Sequence, residues 1–312
     1  MDSSSFVNGA LIDVAVRFLL PSSPFSIVSY LTAFTVFGFV IVARSKRKSG
    51  FWRKMFPTRI FRSRSTRLDV TLYILNFVFL GFVFSFITIG AGFWSGLTRG
   101  TLHLLFGSNP IMDIPVWAAL LTTTLLELLL LELGYWFAHY VSHRVPAIWE
   151  FHKVHHSAEV MSPLTEGRQH PLDVLFFQNV VACSLGLGYG VMQFLFGTTK
   201  TFAIWQTNVF LLVFFLTVSH LRHSHVWLPF TGLAGKLIHS PAHHQIHHST
   251  AVRDHNKNLG FSLSLWDWIF GTLRLPEKRE QLRFGLDAGE GRFLTMRDSL
   301  AAPFARAAGH LR

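Results

Sequence analysis

The chain has 312 residues, half of them apolar and only 14% charged, with 32 phenylalanines and a net charge of +11. Soluble domains carry about 25% charged residues, so this deficit, with long uncharged runs, points to a membrane protein; no nucleic-acid partner is expected despite the basic balance. One cysteine, Cys183, excludes an internal disulfide, a CxxC zinc site and a cysteine-ligated iron–sulfur cluster.

In chain order, Met1-Asp-Ser-Ser-Ser lacks the basic start of a cleaved signal peptide, so the first membrane segment is expected to remain. Residues 10–20, with Asp13 and Arg17 and then Pro21 and Pro24, read as an interfacial helix. Residues 25–43 are uncharged and just long enough for a first span. The stretch 44–68 holds ten basic residues and no acid. It reads as a cytosolic loop obeying the positive-inside rule, with added attraction to anionic membrane lipids. A second span is expected at 70–93, an outer turn at 94–114, and a third span from Pro115 to His139. Residues 139–171 are polar and rich in histidine. Apolar sequence returns at 172–196, interrupted by Gly186, Gly188 and Gly190, and Gly197-Thr-Thr-Lys200 leads to a last apolar helix at 201–219. The remainder is more polar.

These segments predict an all-α integral-membrane bundle of about four to five spans with a cytosolic helical cap. Three regions are expected: an N-terminal membrane region (1–114), a histidine-bearing region (115–275) and a basic cytosolic tail (276–312). Placing 44–68, 139–171 and 220–312 on the cytosolic side collects 25 of the 28 Lys and Arg and sixteen of the seventeen histidines. Two independent features thus agree on the orientation.

The histidines are not scattered. His139 and His143 stand four apart, and His152, His155 and His156 form an HxxHH block that recurs as His244, His247 and His248. Residues three and four apart share a helix face, so each block is expected to aim its rings at a common point, and the blocks together can enclose more than one metal ion. Eight unpaired imidazoles would repel when protonated, which makes metal ligation the simpler account. His223 or His220 is expected to complete a two-metal site of about ten nitrogens, with His170 as a further ligand or supporting residue. His243 reads as supporting. Glu150, Glu166 and Asp173 are candidates to accept the second N–H of ligating imidazoles. Glu132, two turns before His139, is either a support of the site or a buried structural carboxyl. Imidazole suits zinc, iron, copper and nickel alike. The HExxH, GxxxxGK[ST] and GxSxG signatures are absent.

The run from His139 to His156, with Trp149-Glu-Phe-His-Lys-Val-His-His-Ser157, Arg168-Gln-His-Pro171, Ser240-Pro-Ala-His-His-Gln-Ile-His-His-Ser249 and Asn258-Leu-Gly-Phe-Ser-Leu-Ser-Leu-Trp-Asp-Trp-Ile-Phe-Gly-Thr272, resembles the fatty acid hydroxylase/sterol desaturase superfamily of integral-membrane di-iron oxygenases. The likeness covers about 115–275. It implies a helical membrane fold with a cytosolic cap carrying two non-haem irons, and the use of O2 and two electrons to hydroxylate or desaturate a lipid C–H bond. By position, His139, His143, His152, His155, His156, His244, His247 and His248 match the family's ligand motifs. His223 sits where many members have a histidine followed by a small residue and Asn; here His225 replaces that Asn, which leaves the ninth and tenth ligands open.

With no flavin, haem or iron–sulfur motif, the electrons are expected from a separate donor, cytochrome b5- or ferredoxin-like, docked on the basic loop or tail. The active site would face the cytosol, from the plasma membrane of a bacterium or the endoplasmic reticulum of a eukaryote. Two other classes stand beside this reading. A zinc-dependent membrane hydrolase is disfavoured by the excess of histidine and the missing HExxH. A metal transporter would carry its ligands inside the spans.

Overall fold

A computed structural model describes residues 19–20, 26–44, 50–82, 84–107, 112–277, 279–287, 289–291 and 293–312. Most of the interfacial helix expected at 10–20, and residues 45–49 of the basic loop, lie outside them. The principal helices are α1 (Ile27–Arg44), α2 (Arg64–Phe82), α3 (Ala91–Phe106), α4 (Val116–Arg144), α5 (Pro146–His156), α6 (Pro171–Phe196), α7 (Val209–Thr217), α8 (Pro241–His247), α9 (Leu265–Ile269) and α10 (Met296–His310). Short helical turns at 51–55, 58–61, 84–87 and 232–237 connect them.

Among the described residues, α4 and α6 are long and apolar enough to cross a membrane, and α1 is a shorter apolar helix. At about 1.5 Å per residue, α4 and α6 measure roughly 40 Å, against about 30 Å of hydrocarbon. Only 28% and 17% of their apolar windows are buried. A core helix of a soluble protein would be mostly buried, whereas these two leave Val116, Trp117, Leu187 and Val191 exposed, with Phe93 and Leu97 of α3 beside them.

Small residues set the packing. Gly134 of α4 faces Val181 and Ser184 of α6, and Gly188 faces Leu130, so the two long helices run antiparallel. Ser184 Oγ donates to the Leu130 carbonyl at 2.7 Å. On the other side of α6, a Cβ added to Gly186 would fall 2.5 Å from the Ala91 carbonyl oxygen. Gly190 likewise meets Ser95 and Thr98, so α3 lies parallel to α6. Residues 94–114, expected as an outer turn, are therefore largely helix: close packing outweighs the weak helix propensity of Gly92, Gly96 and Gly100.

The apolar run expected as a helix over 201–219 also divides. Ala203 pairs with Asn208 and Ile204 with Thr207 in a two-stranded hairpin. Its turn residues Trp205 and Gln206 have φ of 48° and 58°. Asn208 then caps α7, its side chain accepting from Phe210 N, and donates to Glu127 at 2.8 Å. The nine residues of α7 extend about 13 Å, too short to span.

At the other end of α4 and α6, α5 and α8 bring their histidines together, and α10 packs on α5 through Phe304 and Phe151; α9 lies against α4, Trp266 donating to the Leu129 carbonyl. The 276–312 stretch is thus partly helical and docked. The basic segment lies at the same end: His225 Nε2 is 2.8 Å from the Lys54 carbonyl, and Arg168 donates to the Ser65 carbonyl.

Candidate metal centre

Three prolines arrange the site. Residues preceding proline avoid the α region, and Val145, at φ −98° and ψ 110°, ends α4. Pro146 occupies the first turn of α5, where its missing N–H costs nothing. The chain therefore folds back, bringing His139 and His143 at the end of α4 against His152, His155 and His156. Pro171 starts α6 in the same way, after the His170 side chain accepts from Leu172 N. Pro241 starts α8, where Ser240 and His243 cap each other.

Nine histidines converge in two adjacent groups: His139, His143, His152, His156 and His247 in one, His155, His223, His244 and His248 in the other. Within each group one nitrogen per residue lies within 4.8 Å of all the others. The groups touch where His156 stacks on His248, with ring centroids 4.4 Å apart. Each HxxHH block does not aim at one point, as its spacing alone suggested, but is split. At about 100° per residue, i and i+4 diverge by only about 40°, while i+3 lies about 100° from i+4. His152 and His156 therefore enter the first group and His155 the second; His244 and His248 enter the second and His247 the first.

The outward nitrogens fix the tautomers. His139 Nδ1 donates to the Leu259 carbonyl at 2.7 Å, His155 Nδ1 to that of Arg168 at 3.2 Å, and His247 Nδ1 to that of Lys257 at 2.8 Å. His152 Nδ1 donates to Asp173 Oδ2 at 2.9 Å. These oxygens only accept, so each Nδ1 carries the hydrogen and each Nε2 turns a bare lone pair inward. His223 Nδ1 lies 2.8 Å from Glu166, and its Nε2 is 3.1 Å from that of His155 and 2.8 Å from that of His244. The Nε2 atoms of His139, His143 and His152 are buried without a partner, at about 1–3 kcal/mol each for unmet polar groups. Burial holds His155, His156, His244 and His248 well below the ordinary imidazole range, reinforced by neighbouring imidazoles, and pushes His247 down to about 3. Those five imidazoles are thus held neutral, with lone pairs to offer. Each nitrogen set is compact enough to hold a metal ion.

His170 and His220 lie outside both groups. His170 Nε2 is 3.2 Å from the Leu300 carbonyl, and His220 stacks on Tyr30 at 3.8 Å. Of the three candidate supporting acids, Asp173 and Glu166 meet cluster histidines, while Glu150 pairs with Lys153 at 2.6 Å and His310 at 3.1 Å. Glu132 accepts from the backbone of Phe261, Ser262 and Leu263 and from the Ser262 hydroxyl, so it holds a loop.

Several supports carry no individual signal in the sequence. Buried Arg168 donates to the Val154 carbonyl, to Ser157, to the Phe293 carbonyl and, at 2.9 Å, to Asp69. It ties the end of α5 to α2 and to the C-terminal segment. Arg222, fully buried, reaches Glu166 at 3.1 Å and lies 4.4 Å over the Phe261 ring. Burial pushes the Glu166 carboxyl up, but Arg222 and His223 more than offset this and hold it well below the usual carboxylate range. Asp267 accepts from Leu259 N, Gly260 N and Thr272 Oγ1. It thereby sets the turn that offers the Leu259 carbonyl to His139. A Cβ on Gly260 would fall 2.2 Å from the Leu263 carbonyl oxygen.

Two cavities meet the cluster. One of about 540 Å³ reaches His139, His152 and His155 and runs along α6 past Phe177, Val181 and Leu185, with Phe84 and Ala91 opposite. The other, about 820 Å³, is lined largely by polar and charged residues and reaches His143, His156, His247 and His248 from the side of Lys153, Glu290 and Arg306.

Residues 124–272 match the sequence model of the Fatty acid hydroxylase family. The chain is 29% identical over 182 residues to an ornithine lipid hydroxylase of Rhizobium tropici, covering 58% of this chain and 50% of that protein. It is 27% and 26% identical over 155 residues to alkylglycerol monooxygenases of Xenopus tropicalis and Homo sapiens, half of this chain and 31% of each. It thus spans half of the first relative and about a third of the other two. No solved structure matches. The region that matches the fatty acid hydroxylase family, residues 124 to 272, holds all nine clustered histidines.

Proposed function

We propose that the protein is a membrane-bound oxidoreductase that hydroxylates, or desaturates, a C–H bond of a lipid, with two irons held by His139, His143, His152, His156 and His247 and by His155, His223, His244 and His248. The observation that carries this reading is the convergence of nine imidazoles, in two compact groups, at the end of a cavity that runs along α6. The family match and the lipid hydroxylase and monooxygenase relatives support it. Two irons would supply the redox capacity to reduce O2 with two electrons and two protons, one oxygen atom entering the C–H bond and the other leaving as water.

The chain's own residues bind and orient. Asp173 and the three carbonyls hold the Nδ1–H of His152, His139, His155 and His247 and keep those rings aimed, and Glu166 stands beside His223 Nδ1. The cavity along α6 takes the apolar chain and excludes water from the attacked carbon. Electrons come from a separate one-electron carrier protein. Ten basic residues at 44–68, and the position of the described residues 50–68 at the cluster end of the bundle, favour a cytosolic site.

Elemental analysis with Mössbauer spectroscopy on detergent-purified protein from iron-57-grown cells tests the reading. About two irons per chain are expected, lost in His155→Ala or His247→Ala. Zinc instead, with no iron uptake and no O2 consumption after reconstitution with Fe(II), would overturn the oxygenase and favour a hydrolase.

A further inference from the structure

We infer that the lipid enters the cavity with its chain along α6 and its methyl end away from the cluster, so that the attacked carbon lies near the polar head group. This rests on the proposed lipid oxidation. Asp173, Phe177, Val181 and Leu185 line the cavity at intervals of four, one stripe of α6. From Asp173 to Leu185 that stripe extends ~18 Å, and the volume of about 540 Å³ suits a single extended chain. The cavity carries charged side chains at the cluster, where Glu166 and Asp173 line it beside Gln169, and none at the far end, where Ala91, Val181, Ala182 and Leu185 line it beyond the Thr88–Gln178 hydrogen bond.

The cluster stands at one end of both membrane-length helices, and the cavity runs from there alongside them. An amphiphile aligned with the bilayer keeps its head at that end and its methyl terminus at Leu185. The reverse orientation would bury a polar head against Ala91 and Leu185, where the polar side chains lining the cavity nearby, Thr88 and Gln178, already bond each other and neither is charged, at several kcal/mol. Ala91 and Ala182, small residues at the far end, then set how long a chain fits. Gly186, where α3 comes within contact of α6, fixes Ala91 in that position.

The probe is a pair of single-chain phospholipids carrying a photoreactive diazirine, one at the methyl end and one beside the head group. Each is irradiated with the full-length protein in nanodiscs and mapped by peptide mass spectrometry. The methyl-end probe is expected to label Ala91 and 181–185, and the head-end probe 166–177. Reversed labelling, or none within the cavity, overturns the inference. Labelling needs neither metal nor turnover, so a correctly labelled but inactive protein would defeat the proposed activity and leave the orientation standing. Hydroxylation at the methyl end would do the opposite. In active protein, Ala182→Phe is expected to lower kcat/KM for long chains about tenfold or more relative to short ones at unchanged metal content. An unchanged length preference overturns the inference; if the variant does not fold, the labelling of the native chain decides.

Discussion

Asp173 and Glu166 face the cluster in similar ways but carry different loads. Among the described residues Asp173 pairs with His152 and with no lysine or arginine. Glu166 meets His223 and is also the counter-charge of fully buried Arg222. Asp173→Asn is therefore expected to lower metal affinity roughly 10–100-fold with little loss of thermal stability. Glu166→Gln should do both, because it leaves Arg222 unpaired at a cost of about 3–5 kcal/mol. Chelator competition and thermal denaturation of the two variants separate these effects, and equal melting temperatures would refute the distinction. The depressed folded pKa of Glu166 gives the sign with pH. Its stabilisation is complete above the unfolded value of roughly 4.3 and fades as pH falls toward the folded one. The histidines of this layer were legible in the sequence because HxxHH has a helical period. Arg168, Arg222 and Asp267 were not: each acts through contacts 56 or more residues away, or through a turn whose partners no period reveals.

Among elements, the contact of α3 with α6 depends on glycines of unequal importance. Gly186 and Gly190 meet backbone carbonyl oxygens of α3, which cannot yield, whereas Gly96 and Gly100 have nothing within 4 Å of an added Cβ. Gly186→Ala is expected to cost about 1–3 kcal/mol by overpacking, while Gly96→Ala should be neutral or stabilising by up to about 1 kcal/mol. Denaturation in a single detergent measures both; a Gly186→Ala variant as stable as Gly96→Ala would show that α3 is not held by this packing. The long apolar period of α4 and α6 was readable from composition. The docking of α3 was not, since it depends on which side of each glycine a neighbour occupies. Nor was the 203–208 hairpin, whose buried Asn208 is held to α4 by polar contacts with Thr124 and Glu127 rather than by an alternating apolar pattern.

Across the whole molecule, the cluster lies between an apolar cavity running along the bundle and a polar one closed by the C-terminal segment. The basic residues of 276–312 suggest only a solvated tail, but in the fold that segment is part of the wall. Glu290 accepts from Trp149 Nε1 at 3.3 Å and from Lys153 at 2.9 Å, Arg306 donates to the Glu290 carbonyl, and His310 meets Glu150. Trp149 in turn packs on His143 and His156, so the segment bears on the cluster through one indole. Deleting residues after 284 removes Asp287, Glu290, Arg306 and His310 from the polar cavity and leaves the attachment of α4 to α6 intact. Local opening governs the escape of buried groups, so the truncated chain is expected to lose bound metal to a chelator about tenfold faster or more, while its helix content falls only by that of α10. Stopped-flow chelation with circular dichroism measures the two together. Equal release rates from intact and truncated protein would mean that the metals exchange from the apolar side, and that the C-terminal segment does not seal the centre.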